Sequence, residues 1–429
     1  MLKVISGTWA LLFGILLLMV GNGVQATLLG IRGSIEGFST FSMSIVMSAY
    51  FLGFLGGSRM APELIRRVGH IRVFAALGSM VSAILILYPL VANPVAWTVG
   101  RMLMGFCLSA VYVTSESWLN NAVTNDRRGQ ALSLYLIVQM AGLVAAQGLL
   151  LFGDPSGFAL FIVPSVLVSV SFAPILLAVQ PTPAFETSKP MSLRRLWQSS
   201  QLGFVGIFLL GGVFSALYGM ASVYGAQAGM AVPEISAFVA AIYLGGMVMQ
   251  YPIGWLSDRV DRRGLVLAIS VLGAVASSLA MAMDQSFAAL LAAAFFIGGA
   301  ATPLYALLLA YVNDHLDYEE MAGASAGLVF INGVGAVAGP LVTGWIMGVA
   351  GPEGFFLFLA VLCSTLAAYA GWRMTQSEAV PVDATVSYAP VLPTASPVAV
   401  EVAQEVFIET AQEAGTEAEV DSKGTGQWG

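Results

Sequence analysis

Apolar residues come along this chain in long unbroken blocks that polar stretches punctuate. Twelve such runs approach the ~20 residues that a helix needs to cross a bilayer. The first six are Gly7 to Leu29, Ser39 to Gly57, Val73 to Leu90, Ala96 to Trp118, Ala131 to Phe152 and Phe158 to Val179. The second six are Leu202 to Tyr224, Ile235 to Leu256, Leu265 to Met283, Phe287 to Val312, Ala322 to Met347 and Phe355 to Trp372. An all-α integral membrane protein with twelve transmembrane helices is therefore expected. Lys3 before the first run, with Val24, Gln25 and Ala26 near its end, loosely resembles a signal peptide. That apolar stretch is long for a signal core, and its loss would leave eleven spans.

Composition agrees. Hydrophobic residues make up 58% of the chain and mean hydropathy is +0.85, leaving too little polar residue to clothe a water-soluble domain. Of the 17 Lys and Arg, all but Arg32 and Arg101 fall in segments that share one side if the chain crosses twelve times. Basic loops mark the cytoplasm, so both termini are expected there, in a bacterial inner membrane. The net charge of −7 belongs to the end of the chain, because nine acids and one lysine lie beyond residue 374. Glu401, Glu405, Glu409, Glu413 and Glu417 recur every four residues, which on a helix would stack like charges. Residues 375–429 are thus expected to be a disordered acidic cytoplasmic tail; a docking or regulatory tail with an unidentified partner is the other reading.

The polar stretch 180–200 divides the runs six and six and reads as a cytoplasmic linker between bundles 1–179 and 201–374. The halves share local grammar. YVTSESWLNNAVTNDRRGQAL in the first is similar to YVNDHLDYEEMAGASAGL in the second, and a basic turn follows the second span of each. Parallel repeats of this kind are the layout of alternating-access carriers.

The second of those turns, GWLSDRVDRRG, packs five charged residues into Asp258 to Arg263. It resembles the Gly-x-x-x-Asp-Arg-x-Gly-Arg-Arg signature of the major facilitator superfamily, with Asp261 in place of the second Gly. The first-half copy, LIRRVGHIR, keeps Gly69 and Arg72 but has Arg66 where the Asp belongs. Arg101 and Gly105, Glu116 to Asn120, Gly129, Gln147 with Gly148, and Leu217 to Gly219 make the chain similar to the YcaD-like branch, which includes alphaproteobacterial riboflavin importers. The resemblance implies two six-helix bundles about a central cavity lined by spans one, four, seven and ten. It also implies that Asp258 meets the start of span five, near Gly129 and Ala131, as a cytoplasmic gate. Asp314, Asp317, Glu319 and Glu320 are then available to Arg259, Arg262 and Arg263. The plainer reading of the cluster is that it fixes topology. Glu116, at the carboxyl end of its helix, calls for a nearby cation. Arg66, Arg67 and Arg72 could supply it, either as a first-half gate or as a local ion pair.

Arg101 is the only basic residue inside a span, and an intramembrane charge faces a cavity or a partner. It lies ~22 Å along the helix from Glu116, too far for a direct pair, so it serves either the solute or a helix-to-helix tie. Asn22, Gln25, Tyr112, Tyr218, Tyr224 and Tyr305 are the polar or aromatic candidates on the cavity spans, followed by Gln139, Gln147 and Tyr243. Phenols and amides amid Met, Phe and Ala suit a neutral, partly aromatic solute. No Asp or Glu lies near the middle of a span, so proton coupling is open only through Glu116 or Glu36, and facilitated diffusion fits as well. The glycines and Pro340 of span eleven are expected to serve close helix packing.

Cys107 and Cys363 lie in separate spans, and His70 and His315 in turns, so no metal site is expected. There is no phosphate loop, no His-Glu-x-x-His and no nucleophile with a His partner, and hence no enzyme and no cofactor. The expectation is a monomeric carrier in the lipid bilayer with a small-molecule substrate and no nucleic acid, taking up a neutral aromatic compound such as riboflavin. Drug or metabolite efflux, and a transporter-fold sensor, are the alternatives.

Overall fold

The computed structural model describes residues 2–124, 127–177, 191–282, 286–376, 380, 381, 385, 388–401, 403 and 404. Thirteen helices account for most of them: α1 Leu2–Ile35, α2 Thr40–Val68, α3 His70–Leu90, α4 Pro94–Asn121, α5 Arg128–Leu149, α6 Ala159–Leu177, α7 Leu193–Ser199, α8 Gln201–Gln227, α9 Val232–Ser257, α10 Arg262–Ala282, α11 Phe287–Asn313, α12 Tyr318–Ala350 and α13 Gly354–Met374. Eleven are long and apolar enough to cross a membrane among the described residues; α6 is shorter and corresponds to the sixth expected span.

Local chemistry sets where these helices start and stop. Ser39 caps α2 by accepting the Ser42 N–H at 3.1 Å, and Asn93 caps α4 by accepting the Val95 N–H at 2.9 Å, with Pro94 in the first turn. Between α2 and α3 the chain turns at Gly69 with φ +84°, a conformation that a β-carbon disfavours. The equivalent second-half turn works differently. Asp261 accepts the Arg263 N–H at 2.9 Å at the start of α10, so the residue that departs from the signature glycine acts as a helix cap.

The repeat legible in the sequence is visible in the packing. Contacts between α1 and α5, α2 and α4, and α3 and α6 in the first half recur as α8 with α12, α9 with α11, and α10 with α13 in the second. Small residues let the backbones close. A Cβ on Gly53 or Gly105 would run into the Met102 or Tyr50 carbonyl across the α2–α4 crossing, and one on Gly245 or Gly298 into Phe295 or Ile242 across α9–α11. Gly335 and Gly339 of the glycine-rich stretch in α12 abut Phe208, Gly212 and Ser215 of α8, which is the close packing expected there.

The halves meet most tightly at the end away from the basic turns. Gly30 of α1 abuts Ser222 of α8, Gly344 of α12 abuts Ser44 of α2, and Ser48 Oγ donates to the Val337 carbonyl at 2.6 Å. At that end Arg32 pairs with Glu36 at 2.6 Å and donates to the Pro155 and Ser156 carbonyls. At the basic end the linker helix α7 is tied to the second half by Arg195–Glu320 at 3.0 Å and by the Met191 N–H to the Gly323 carbonyl at 2.7 Å. Between the halves at that same end lie residues 388–401, 403 and 404. The expectation of disorder from residue 375 does not hold for the described part of this segment, whose Val391, Leu392, Ala395, Ala399 and Ala403 are buried.

Candidate functional site

Midway through the bundle, side chains from both halves surround a cavity of which about 60 Å³ is unfilled. Asn22 of α1, Tyr50 and Phe51 of α2, Arg101 and Tyr112 of α4, and Gln139 of α5 face Phe214 and Tyr218 of α8 and Tyr243 of α9. Leu392 and Thr394 of the C-terminal segment close it from the basic end. No lining residue carries a carboxylate.

Arg101 is the chemical centre of this site. Only 2% of it is exposed, and its guanidinium sits 4.7 Å from the Tyr50 ring centroid, a cation–π arrangement. One terminal nitrogen donates to Gln25 Oε1 at 3.1 Å and the other approaches Met47 Sδ at 3.3 Å. Its Nε has no hydrogen-bond partner among the described residues, and neither does Gln25 Nε2. A buried cation held by one amide oxygen, a sulfur and a ring face is under-supplied with acceptors. It retains capacity for an oxygen or ring nitrogen of a solute.

The surrounding aromatics form two facing groups. Tyr218 packs at a tilt on Phe214 and Tyr243, with ring centroids 4.3 and 5.0 Å away, and its hydroxyl lies 3.1 Å from Thr302 Oγ1. Across the cavity, Asn22 Nδ2 donates weakly to the Tyr112 hydroxyl at 3.4 Å, and Tyr112 packs on Phe54. Such a cleft can sandwich a flat ring while amides and phenols bind its polar edge.

Several expected site residues lie elsewhere. Gln147 donates to its own helix at the Leu143 carbonyl, one turn back. Tyr224 stacks on Phe355 at 5.2 Å in the aromatic core of the second bundle. Tyr305 is fully buried in α11 and does not line the cavity. Gln25 stands one layer behind, holding Arg101. The α2 residues Tyr50 and Phe51 were not anticipated; the available signal was a phenol in the middle of a span, among Phe51, Phe54 and Gly53.

The expected gate is also arranged differently. Among the described residues Asp258 makes no hydrogen bond or ion pair to the start of α5; its Oδ1 accepts the Tyr388 N–H at 2.8 Å and lies 3.6 Å from Arg262. Burial raises the Tyr388 phenol well above its ordinary range, and the Asp258 carboxylate adds to the rise. Arg262 pairs with Asp314 at 2.5 Å, one of the offered acids, while Arg263 pairs with Asp261 at 3.1 Å and Arg259 covers the Trp255 ring at 4.2 Å. These contacts lie within the second half. Glu116 pairs with none of the three arginines expected to supply its cation: Arg66 and Arg67 pair with Glu63 on their own helix, and Arg72 is exposed at the start of α3, while Arg128 of α5 lines the same small cleft as Glu116. The buried Glu116 carboxylate instead accepts the Tyr135 hydroxyl and the Ser396 N–H, both at 3.2 Å. His70 is buried too, 3.1 Å from Ser117 Oγ and stacked over Trp118.

Beside the C-terminal segment, a cleft of about 420 Å³ runs between α5 and α9 from the basic end. Ile137, Met140, Gln250, Tyr251, Trp255 and Arg259 are among its walls. It shares Met140 and Leu392 with the central cavity.

A sequence profile described as Major Facilitator Superfamily matches residues 11–238 and 203–395. An MFS-type transporter of Yersinia pestis (strain Pestoides F) is 28% identical over 341 residues, 79% of this chain and 88% of the relative. The MFS-type transporter YcaD of Salmonella arizonae is 28% identical over 355 residues, 82% of this chain and 91% of that one. Among solved structures, a variant of the nucleoside transporter NupG superposes with a TM-score of 0.75 at 14% identity, covering 86% of this chain and all of NupG.

Proposed function

Since the chain belongs to the Major Facilitator Superfamily, we propose that this transporter takes up a small, neutral, aromatic organic solute by alternating access, riboflavin being the first candidate. The observation that carries this reading is the cavity lining: one under-coordinated cation, four phenols, two amides and no carboxylate. An ion-coupled site for a cation would need the acid that is missing. A polyanion would need more than one positive charge. The NupG fold is that of a nucleoside carrier, and nucleosides and riboflavin share a flat nitrogen heterocycle joined to a hydroxylated five-carbon unit. Likeness at 14% identity speaks for the fold alone, so the weight rests on the lining.

In this reading the basic turns face the cytoplasm of a bacterial inner membrane, with both termini on that side, because basic loops are retained inside. The two bundles, residues 1–179 and 201–374, then rock about the cavity, and a monomer suffices because the cavity is enclosed by one chain. The protein moves its solute without chemical change. Asp258 and Glu116, carboxylates at the basic end of facing halves, are the groups placed to make and break the inner gate. With no mid-membrane carboxylate, net uptake is expected to follow the solute gradient, aided by trapping of the product inside the cell.

Expression should rescue a riboflavin-requiring bacterium at low supplement, and proteoliposomes should accumulate the vitamin to equilibrium with or without a pH gradient. Absence of rescue at a verified membrane level would remove riboflavin as the cargo. Uptake that required an imposed proton gradient would overturn the uncoupled reading.

A further inference from the structure

The segment from Tyr388 to Gln404 is built to be buried. No charge falls between Tyr388 and Val400, in a tail that is otherwise acidic. Pro390, Pro393 and Pro397 lack an N–H, so three peptide units enter apolar surroundings with no donor to satisfy. Ser396 caps a short helix that begins at 397, accepting the Val398 N–H at 3.2 Å, and Ala395, Ala399 and Ala403 recur at four-residue spacing as small buried contacts.

Groups from both halves receive this segment. Glu116 of the first half accepts the Ser396 N–H. From the second half, Asp258 accepts the Tyr388 N–H, Asn332 Nδ2 donates to the Pro393 carbonyl at 2.9 Å, and Asn313 Oδ1 accepts from Gln404 Nε2 at 2.9 Å. Ser325 donates to Gln404 Oε1 at 3.2 Å. Each of these partners lies toward the basic end of its helix.

We propose that the described residues between 388 and 404 are an autoinhibitory plug, a ligand supplied by the chain itself that closes the central cavity toward the basic face, beside the cleft between α5 and α9, and wedges the two halves apart there. The proposal rests on the carrier reading above but not on which solute is carried. Two consequences of the geometry support it. Leu392 and Thr394 occupy the same cavity as Arg101, Tyr50 and Tyr112, and the space left, about 60 Å³, is far below the ~300–1,000 Å³ of small-molecule sites. Solute and plug therefore exclude one another. The segment also engages Asp258 and Glu116 together, the carboxylates at the facing ends, so the inner gate cannot close while it is seated.

The tether makes such a contact easy to keep and easy to adjust. Tyr388 follows the last residue of α13, Met374, by 14 positions, a reach of at most ~50 Å. A tethered ligand of that length acts at an effective concentration on the order of mM, so a weak contact suffices and anything that engages the tail competes with it.

The test uses Ser325→Cys, a position that the plug covers, in a chain whose own Cys107 and Cys363 are buried. In inside-out vesicles, truncation after Gln376 should speed labelling by a membrane-impermeant maleimide at least tenfold and raise riboflavin flux several-fold. A synthetic peptide of residues 385–404 should slow both again. If the truncated chain is not recovered, Ala399→Asp in the full chain places a second carboxylate beside the buried Glu116 and carries the same expectation. Labelling rates within twofold of the full chain in either variant would overturn the plug, and faster labelling with reduced flux would overturn its inhibitory role. Faster labelling with no riboflavin flux in any chain counts for the plug and against riboflavin.

Discussion

Replacing Arg101 with alanine is expected to cut solute uptake by about two orders of magnitude while leaving a folded, membrane-inserted protein. A hydrogen bond to a charged group contributes about 1.5–3 kcal/mol, and tenfold in rate corresponds to about 1.4 kcal/mol. Loss of one or two solute contacts therefore reaches that range. The fold should survive because no counter-charge is stranded: Arg101 is held by the Gln25 amide, the Met47 sulfur and the Tyr50 ring, none of which is ionised beside it. Arg101→Lys preserves the charge but not the planar fork, and should recover only part of the flux. Solute-dependent thermal stabilisation of the purified protein separates the two roles. It should vanish in Arg101→Ala if the guanidinium touches solute. Uptake and stabilisation both unchanged would make Arg101 a helix-to-helix tie.

The opposite balance applies to Asp314. Its carboxylate and the Arg262 guanidinium are each 2% exposed, and they form a 2.5 Å contact behind the signature turn. Asp314→Ala removes the carboxylate nearest this buried cation, whose other contacts include the Ser257 hydroxyl, the Ala310 carbonyl and the more distant Asp258. Breaking a buried pair from one side costs about 3–5 kcal/mol, whereas replacing both members by apolar residues of similar volume is often near neutral. Detergent-purified Asp314→Ala is therefore expected to lose its monodisperse peak many degrees below the parent, and Arg262→Met with Asp314→Leu to regain most of that loss. A single substitution costing under about 1 kcal/mol would show that water reaches the pair and screens it. Thus the signature turn, whatever its part in gating, also holds α10 against α11.

Much of this was readable in the sequence because lipid imposes one strong rule on every span. Run length located the membrane helices, and the local motifs that the two halves share anticipated their matched packing. Asp314 was nameable as a partner because the loop after span ten gathers Asp314, Asp317, Glu319 and Glu320 at the same end as the basic turn. Helix faces were harder. At ~100° per residue, Tyr218 and Tyr224 point about 120° apart, so one reaches the cavity and the other the aromatic core of its own bundle. In a span that is apolar all round, periodicity gives no sign of which face is which. Gln139 and Gln147 lie about 80° apart around the helix and about 12 Å apart in depth, and only Gln139 reaches the cavity.

The tail was misread for a different reason. The glutamates from Glu401 onward dominate its charge, and they argue against a helix standing alone in water. They say nothing about the uncharged stretch YAPVLPTASPVAV just before them, which finds its environment only between the bundles. The contacts expected of Asp258 and Glu116 differ for the same reason, since both carboxylates turn to the backbone of that stretch.

The central claim is that one cavity, under Arg101, opens in turn to each side of the membrane. Its most direct test is the accessibility of Asn22→Cys to an impermeant maleimide in right-side-out and inside-out vesicles. The account predicts labelling from both sides, slowed from both by transported solute, with labelling from the basic face increased when the chain is truncated after Gln376. Labelling from one side alone, whatever the solute and whether or not the tail is present, would contradict it.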